Sequence, residues 1–109
     1  MALIGRFANW HIIVLTHDSA NTPLFYITRS IDSNECYLGI NIKSPEYHNC
    51  SDCTECLKDK EKRQLIEFLN GTDKWGESNW IVLLKAWNRN NPDREIPLNT
   101  TMPDYSKLR

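Results

Sequence analysis

Residues 10–42, WHIIVLTHDSANTPLFYITRSIDSNECYLGINI, decide the fold. They hold three runs rich in β-branched and aromatic side chains: 10–16 (WHIIVLT), 24–31 (LFYITRSI) and 35–42 (ECYLGINI). Such runs fit a pleated, half-buried surface. The connections, His17 to Pro23 and Asp32-Ser33-Asn34, are polar and built from turn residues. Connections this short join antiparallel neighbours, because a parallel pair needs a long crossover. The spacing therefore predicts a three-stranded antiparallel meander. In the third run, alternation places Cys36, Leu38, Ile40 and Ile42 on one face and Tyr37, Gly39 and Asn41 on the other. Cys36 then points into the core.

Beyond residue 42 the pattern changes. Lys43 to Asn49 reads as a loop, since Pro45 discourages a continued strand. A helix is predicted over 52–70, capped by Asp52 with Glu55 as its capping-box partner and stopped by Gly71. Leu57, Leu65, Phe68 and Leu69 form its buried face, and the charged run Lys58 to Arg63 faces solvent. A second helix over 78–90 has the clearer signal. Ser78 or Asn79 caps it, and Trp80, Leu83, Leu84 and Trp87 follow the i, i+3, i+4, i+7 spacing of one apolar face. Asn88 to Asn91 and Pro92 end it. The tail, 93–109, contains Pro97 and Pro103 and reads as extended. Its apolar residues Ile96, Leu98, Met102 and Tyr105 either tie it to the body, with Ile96 and Leu98 pairing an edge strand, or dock on another protein. The expected architecture is one α+β domain spanning 1–109. Two helices cover one sheet face, and the other, carrying Tyr26 and Tyr37, looks to water or to a partner.

Composition narrows the function classes. The chain has 109 residues, 40% hydrophobic and 25% charged, the balance of one ordered domain. Thirteen Lys and Arg against 14 Asp and Glu leave a net charge of -1, which gives no electrostatic footprint for nucleic acid or an anionic membrane. No stretch approaches the ~18 apolar residues of a membrane span. Met1 to Thr16 is partly apolar but broken by Arg6, Asn9, Trp10 and His11, and it has no cleavage signal. A cytoplasmic protein is expected. Its four cysteines then read as thiols or ligands before disulfides, and the sequons at Asn49, Asn70 and Asn99 carry no weight.

Cys50, Cys53 and Cys56, with His48 just ahead of them, form the densest group of reactive side chains. Zinc takes four thiolate or imidazole ligands in a tetrahedron, so the fourth ligand here is Cys36 or His48. One structural zinc is one reading. Free thiols on the buried stripe of the first helix are the other, since Cys53 and Cys56 are i, i+3 beside Leu57. An iron–sulfur run needs a fourth cysteine at position 60, where Lys60 stands. There is no glycine-rich phosphate loop, nucleophile elbow or acid/base pair.

Two function classes follow. The first is a small non-enzymatic protein-interaction module, a regulator or inhibitor of a larger protein of the type that mobile elements carry, by analogy alone. Its contact residues are Tyr26, Tyr37, Trp75, Met102 and Tyr105. Four tryptophans exceed what a core of this size needs, so one left outside becomes a contact candidate. The second is a zinc-stabilised nucleic-acid-binding domain in which Trp75 or Tyr37 stacks on unpaired bases, a reading that the balanced charge disfavours. A thiol enzyme using Cys50 or Cys53 is a third.

Overall fold

A computed structural model describes residues 2–15, 22–29, 37–49 and 56–108. Its class is α+β. Five strands form one antiparallel sheet in sequence order: β1 (Ala2–Phe7), β2 (Trp10–Val14), β3 (Leu24–Thr28), β4 (Leu38–Asn41) and β5 (Tyr47–Asn49). Two helices follow, α1 (Asp59–Asn70) and α2 (Asn79–Asn90), then short 3-10 turns at Pro92–Arg94 and Tyr105–Lys107. Among the described residues no helix is long and apolar enough to cross a membrane.

The three expected strand runs are the middle of this sheet, and one strand flanks them on each side. β1 pairs with β2 through the two-residue turn Ala8-Asn9, with Phe7 opposite Trp10. Ala8 there takes φ 49°, a conformation that an L-residue with a Cβ rarely adopts. The usual Asn-Gly or Asp-Gly hairpin signal is absent, which is why the turn was not legible. β5 corrects the expected loop over 43–49. Pro45 lies in the bend before it, and the Asn41 N–H closes that bend on the Glu46 carbonyl at 3.0 Å.

Alternation along the strands sends Phe7, Trp10, Ile12, Val14, Phe25, Ile27, Leu38, Ile40 and Ile42 to one face, where they share a core with the helices. α1 supplies Leu65 and Leu69, and α2 supplies Trp80, Leu83, Leu84 and Trp87. Gly5 sits on β1 where a Cβ would come within 2.2 Å of the Phe68 ring, so its missing side chain lets α1 approach.

The first helix starts later than Asp52. Cys56 to Lys58 are not helical. The Leu57 N–H donates to the Tyr47 hydroxyl at 3.0 Å, and the Lys58 N–H donates to the Glu61 carboxylate at 3.0 Å. With these amides held by side chains, regular helix begins at Asp59, and Lys58 with Glu61 takes the capping role expected of Asp52 and Glu55. Burial pushes the Tyr47 hydroxyl up to about 12 against the opposing effect of the Leu57 bond, with Cys56 and Glu61 adding to the rise, so it stays protonated at neutral pH. The solvated run 58–63 is also corrected in part. Glu61 turns inward to the Trp10 indole N–H at 2.6 Å, and Lys62 donates to the Leu108 carbonyl at 3.1 Å.

The tail packs on its own domain without strand pairing. The Asn88 side-chain amide donates to the Ile96 carbonyl at 2.9 Å and accepts from the Ile96 N–H at 2.7 Å, doing for Ile96 what an edge strand was expected to do. Tyr105 is fully buried, edge-on to Phe25 and Trp80, with its hydroxyl donating to the Asn41 carbonyl at 2.8 Å.

Two predictions follow from this packing. Tyr105→Phe loses the bond to Asn41 and destabilises by about 1–2 kcal/mol, and Tyr105→Ala by about 3–5 kcal/mol, in chemical denaturation. The second concerns Glu61. Burial alone raises its carboxyl, but the Lys58 and Trp10 hydrogen bonds and the charges of Arg29 and Lys58 outweigh this and hold it below its ordinary value. A carboxylate depressed in the folded state adds stability above its unfolded pKa, and that stability disappears as pH falls through the folded one. Stability therefore declines on acidification from about pH 5 downward. Glu61→Gln flattens that decline and costs about 1 kcal/mol at neutral pH.

Candidate interaction site

The segment Gly71–Ser78 joins α1 to α2 and presents Trp75. It is held from both ends. The Asn79 N–H donates to the Gly71 carbonyl at 2.9 Å, the buried Asn79 side chain donates to the Phe68 carbonyl at 2.8 Å, and Thr72 and Ser78 form an isolated antiparallel bridge. Inside the loop, one Asp73 carboxylate oxygen accepts from the Trp75 and Glu77 amides, each at 2.9 Å. The Asp73 N–H reaches the Glu77 carbonyl at 2.8 Å, and the Gly76 N–H reaches the Asp73 carbonyl at 3.0 Å. Gly76 takes φ 82°, which a glycine adopts without penalty. An Asp turn and a left-handed glycine thus fix the backbone on both sides of Trp75.

Trp75 is 80% exposed, whereas Trp10, Trp80 and Trp87 are all buried. The Lys74 ammonium lies 4.4 Å from the centre of the Trp75 ring. Glu77 forms an ion pair with Lys85 of α2, which ties the loop to the helix surface. Lys85 also lines a shallow cleft of about 410 Å³ with Asn88, Glu95, Ile96, Pro97 and Leu98. The wall continues toward the loop, because the Trp80 indole donates to the Thr100 carbonyl at 2.8 Å. Leu98 is 40% exposed, so with Leu3 and Trp75 it is one of the large hydrophobic side chains left outside among the described residues.

The other expected contact residues lie elsewhere. Tyr26 and Tyr37 are half-buried on the reverse sheet face, where Ile13, Leu24, Thr28 and Gly39 are buried, so the centre of that face is not an open platform. Met102 is half-buried against the core, and Tyr105 is fully inside it. Trp75 alone of the five has its ring in solvent. Of the expected metal ligands, Cys36, Cys50 and Cys53 lie outside the described residues, and His48 is described only as a backbone position in β5. Cys56 is an exposed free thiol. Among the described residues no group of three or more His, Cys, Asp or Glu comes together in a way that could hold a metal ion. The cleft and the pairing of Lys85 with Glu77 were not anticipated. The Asp73-x-x-Gly76 turn around Trp75 was the signal available for the loop.

No protein-family model, curated protein or solved structure matches this chain.

Because the Trp75 side chain carries none of the loop's hydrogen bonds, Trp75→Ala leaves stability within about 0.5 kcal/mol of the parent. Trp80→Ala and Trp87→Ala each cost about 3–5 kcal/mol, and urea titration of the three variants checks the contrast.

Proposed function

We propose that this protein is a small non-enzymatic interaction module, a regulator or inhibitor of a larger protein, with Trp75 as the anchor of its interface. The carrying observation is the exposure of that one indole, at 80%, on a loop whose backbone is already tied down. A tryptophan brings a large apolar area with few rotatable bonds, and such residues dominate binding energy when a partner pocket closes on them. Ordering a loop on binding costs free energy, and here the Asp73 and Gly76 turn meets that cost during folding. The reading moves the interface away from the sheet face and the tail, since Ile13 and Tyr105 are buried. Regulator or inhibitor is an analogy of size and type, as is the cytoplasmic setting.

The test places a photo-crosslinking phenylalanine at position 75, with a control at the exposed Glu67 of α1, in cells of the source organism. The expected result is a discrete crosslinked protein at 75 that is absent at 67. Identical patterns at the two positions, or no product at 75, would sink the reading.

A further inference from the structure

We infer that the Trp75 loop and the adjoining cleft form one docking face for a protein segment that carries a carboxylate next to an aliphatic side chain. The inference rests on the interaction reading above and adds the chemistry of the partner. Lys85 makes the two features continuous, pairing with Glu77 of the loop while lining the cleft.

The argument is a charge inventory. Both acids of the loop are engaged within the protein: Asp73 on the Trp75 and Glu77 amides, and Glu77 on Lys85. Lys74 lies against the indole, and among the described residues no carboxylate pairs with it. The Lys85–Glu77 pair is itself exposed, and such pairs contribute only about 0–1 kcal/mol, so a partner carboxylate can share Lys85 or replace Glu77 there. The Trp75 end of the face therefore accepts negative charge.

The other end differs. Asn88 is occupied at both amide atoms by the Ile96 backbone, which leaves Ile96, Pro97 and Leu98 to give the cleft an apolar wall. Its volume of about 410 Å³ holds an aliphatic side chain and its backbone. Glu95 lines this end and repels a second carboxylate. The face thus reads a polarity: acid toward Lys74 and Lys85, aliphatic group toward Leu98. A nucleic-acid strand, charged at every residue, would set phosphates against Glu95 and fits less well.

The experiment selects a phage-displayed random peptide library on the intact protein and measures the enriched peptides by fluorescence polarisation. Enriched sequences are expected to carry Asp or Glu within a few residues of Leu, Ile, Val or Met. Trp75→Ala should weaken their binding by about tenfold or more. Lys74→Glu and Lys85→Glu should weaken it by about three- to tenfold, and Glu77→Gln, which releases Lys85, should strengthen it by about two- to threefold. Thermal melts of each variant separate lost binding from lost folding. Enrichment of basic peptides, weaker binding in Glu77→Gln, tighter binding of an oligo-dT probe, or no enrichment would each overturn the inference. Peptides that need Trp75 without any acidic preference would overturn it while leaving the interaction reading intact. Failure of the crosslink at position 75 would remove both.

Discussion

The hydrogen bond from the Trp10 indole to the Glu61 carboxylate, 2.6 Å long, joins the sheet to the helical layer. Trp10 is 1% exposed at the start of β2, and a buried indole N–H without an acceptor is costly. Glu61 supplies that acceptor from the first turn of α1, while its second oxygen receives the Lys58 N–H. Arg29 lies 4.0 Å over the Trp10 ring and 3.7 Å from the same carboxylate. One acidic side chain thus satisfies a buried donor, caps a helix and faces a cation. It sets where α1 begins and how the helix is turned. Leu65 and Leu69, one and two turns further on, then fall inside the core.

The tail completes the layer that this contact begins. Lys62, beside Glu61, reaches the Leu108 carbonyl, and Tyr105 fills the space between Phe25 and Trp80. Asn88 grips Ile96 at both its backbone groups. The last turns of the chain are therefore part of the core rather than an arm offered to a partner. Burial of Tyr105 holds its hydroxyl well above the usual phenol range, so it remains a hydrogen-bond donor to Asn41 at any physiological pH.

Against this packing the loop between the helices stands apart. Three tryptophans are inside the protein and the fourth is outside on a backbone constrained by Asp73 and Gly76. A fold that needed an indole at position 75 for stability would have buried it. The loop geometry instead holds it in solvent, close to a cation and beside a cleft with an apolar wall.

Periodicity made much of the architecture legible. The alternation of Leu38, Ile40 and Ile42, and the spacing of Trp80, Leu83, Leu84 and Trp87, are properties of local geometry, and the structure buries all seven. The sequence by itself therefore determined the class, the central strands and the second helix, with its start at Asn79. It also marked Trp75 as a contact candidate, through an excess of tryptophan over core need. Tertiary structure decided the rest. β1 and β5 exist because neighbouring strands offered them ladders, against weak turn chemistry at Ala8 and the discouragement of Pro45. The start of α1, the inward turn of Glu61 and the burial of Tyr105 each depend on a partner many residues away: Tyr47 for Leu57, Trp10 for Glu61, Asn41 for Tyr105. So does the face around Lys85, which forms where α2, the loop and residues 95–98 meet. A local pattern records which side of an element is apolar, but it carries no record of which distant donor will meet which acceptor. Only the folded chain supplies that.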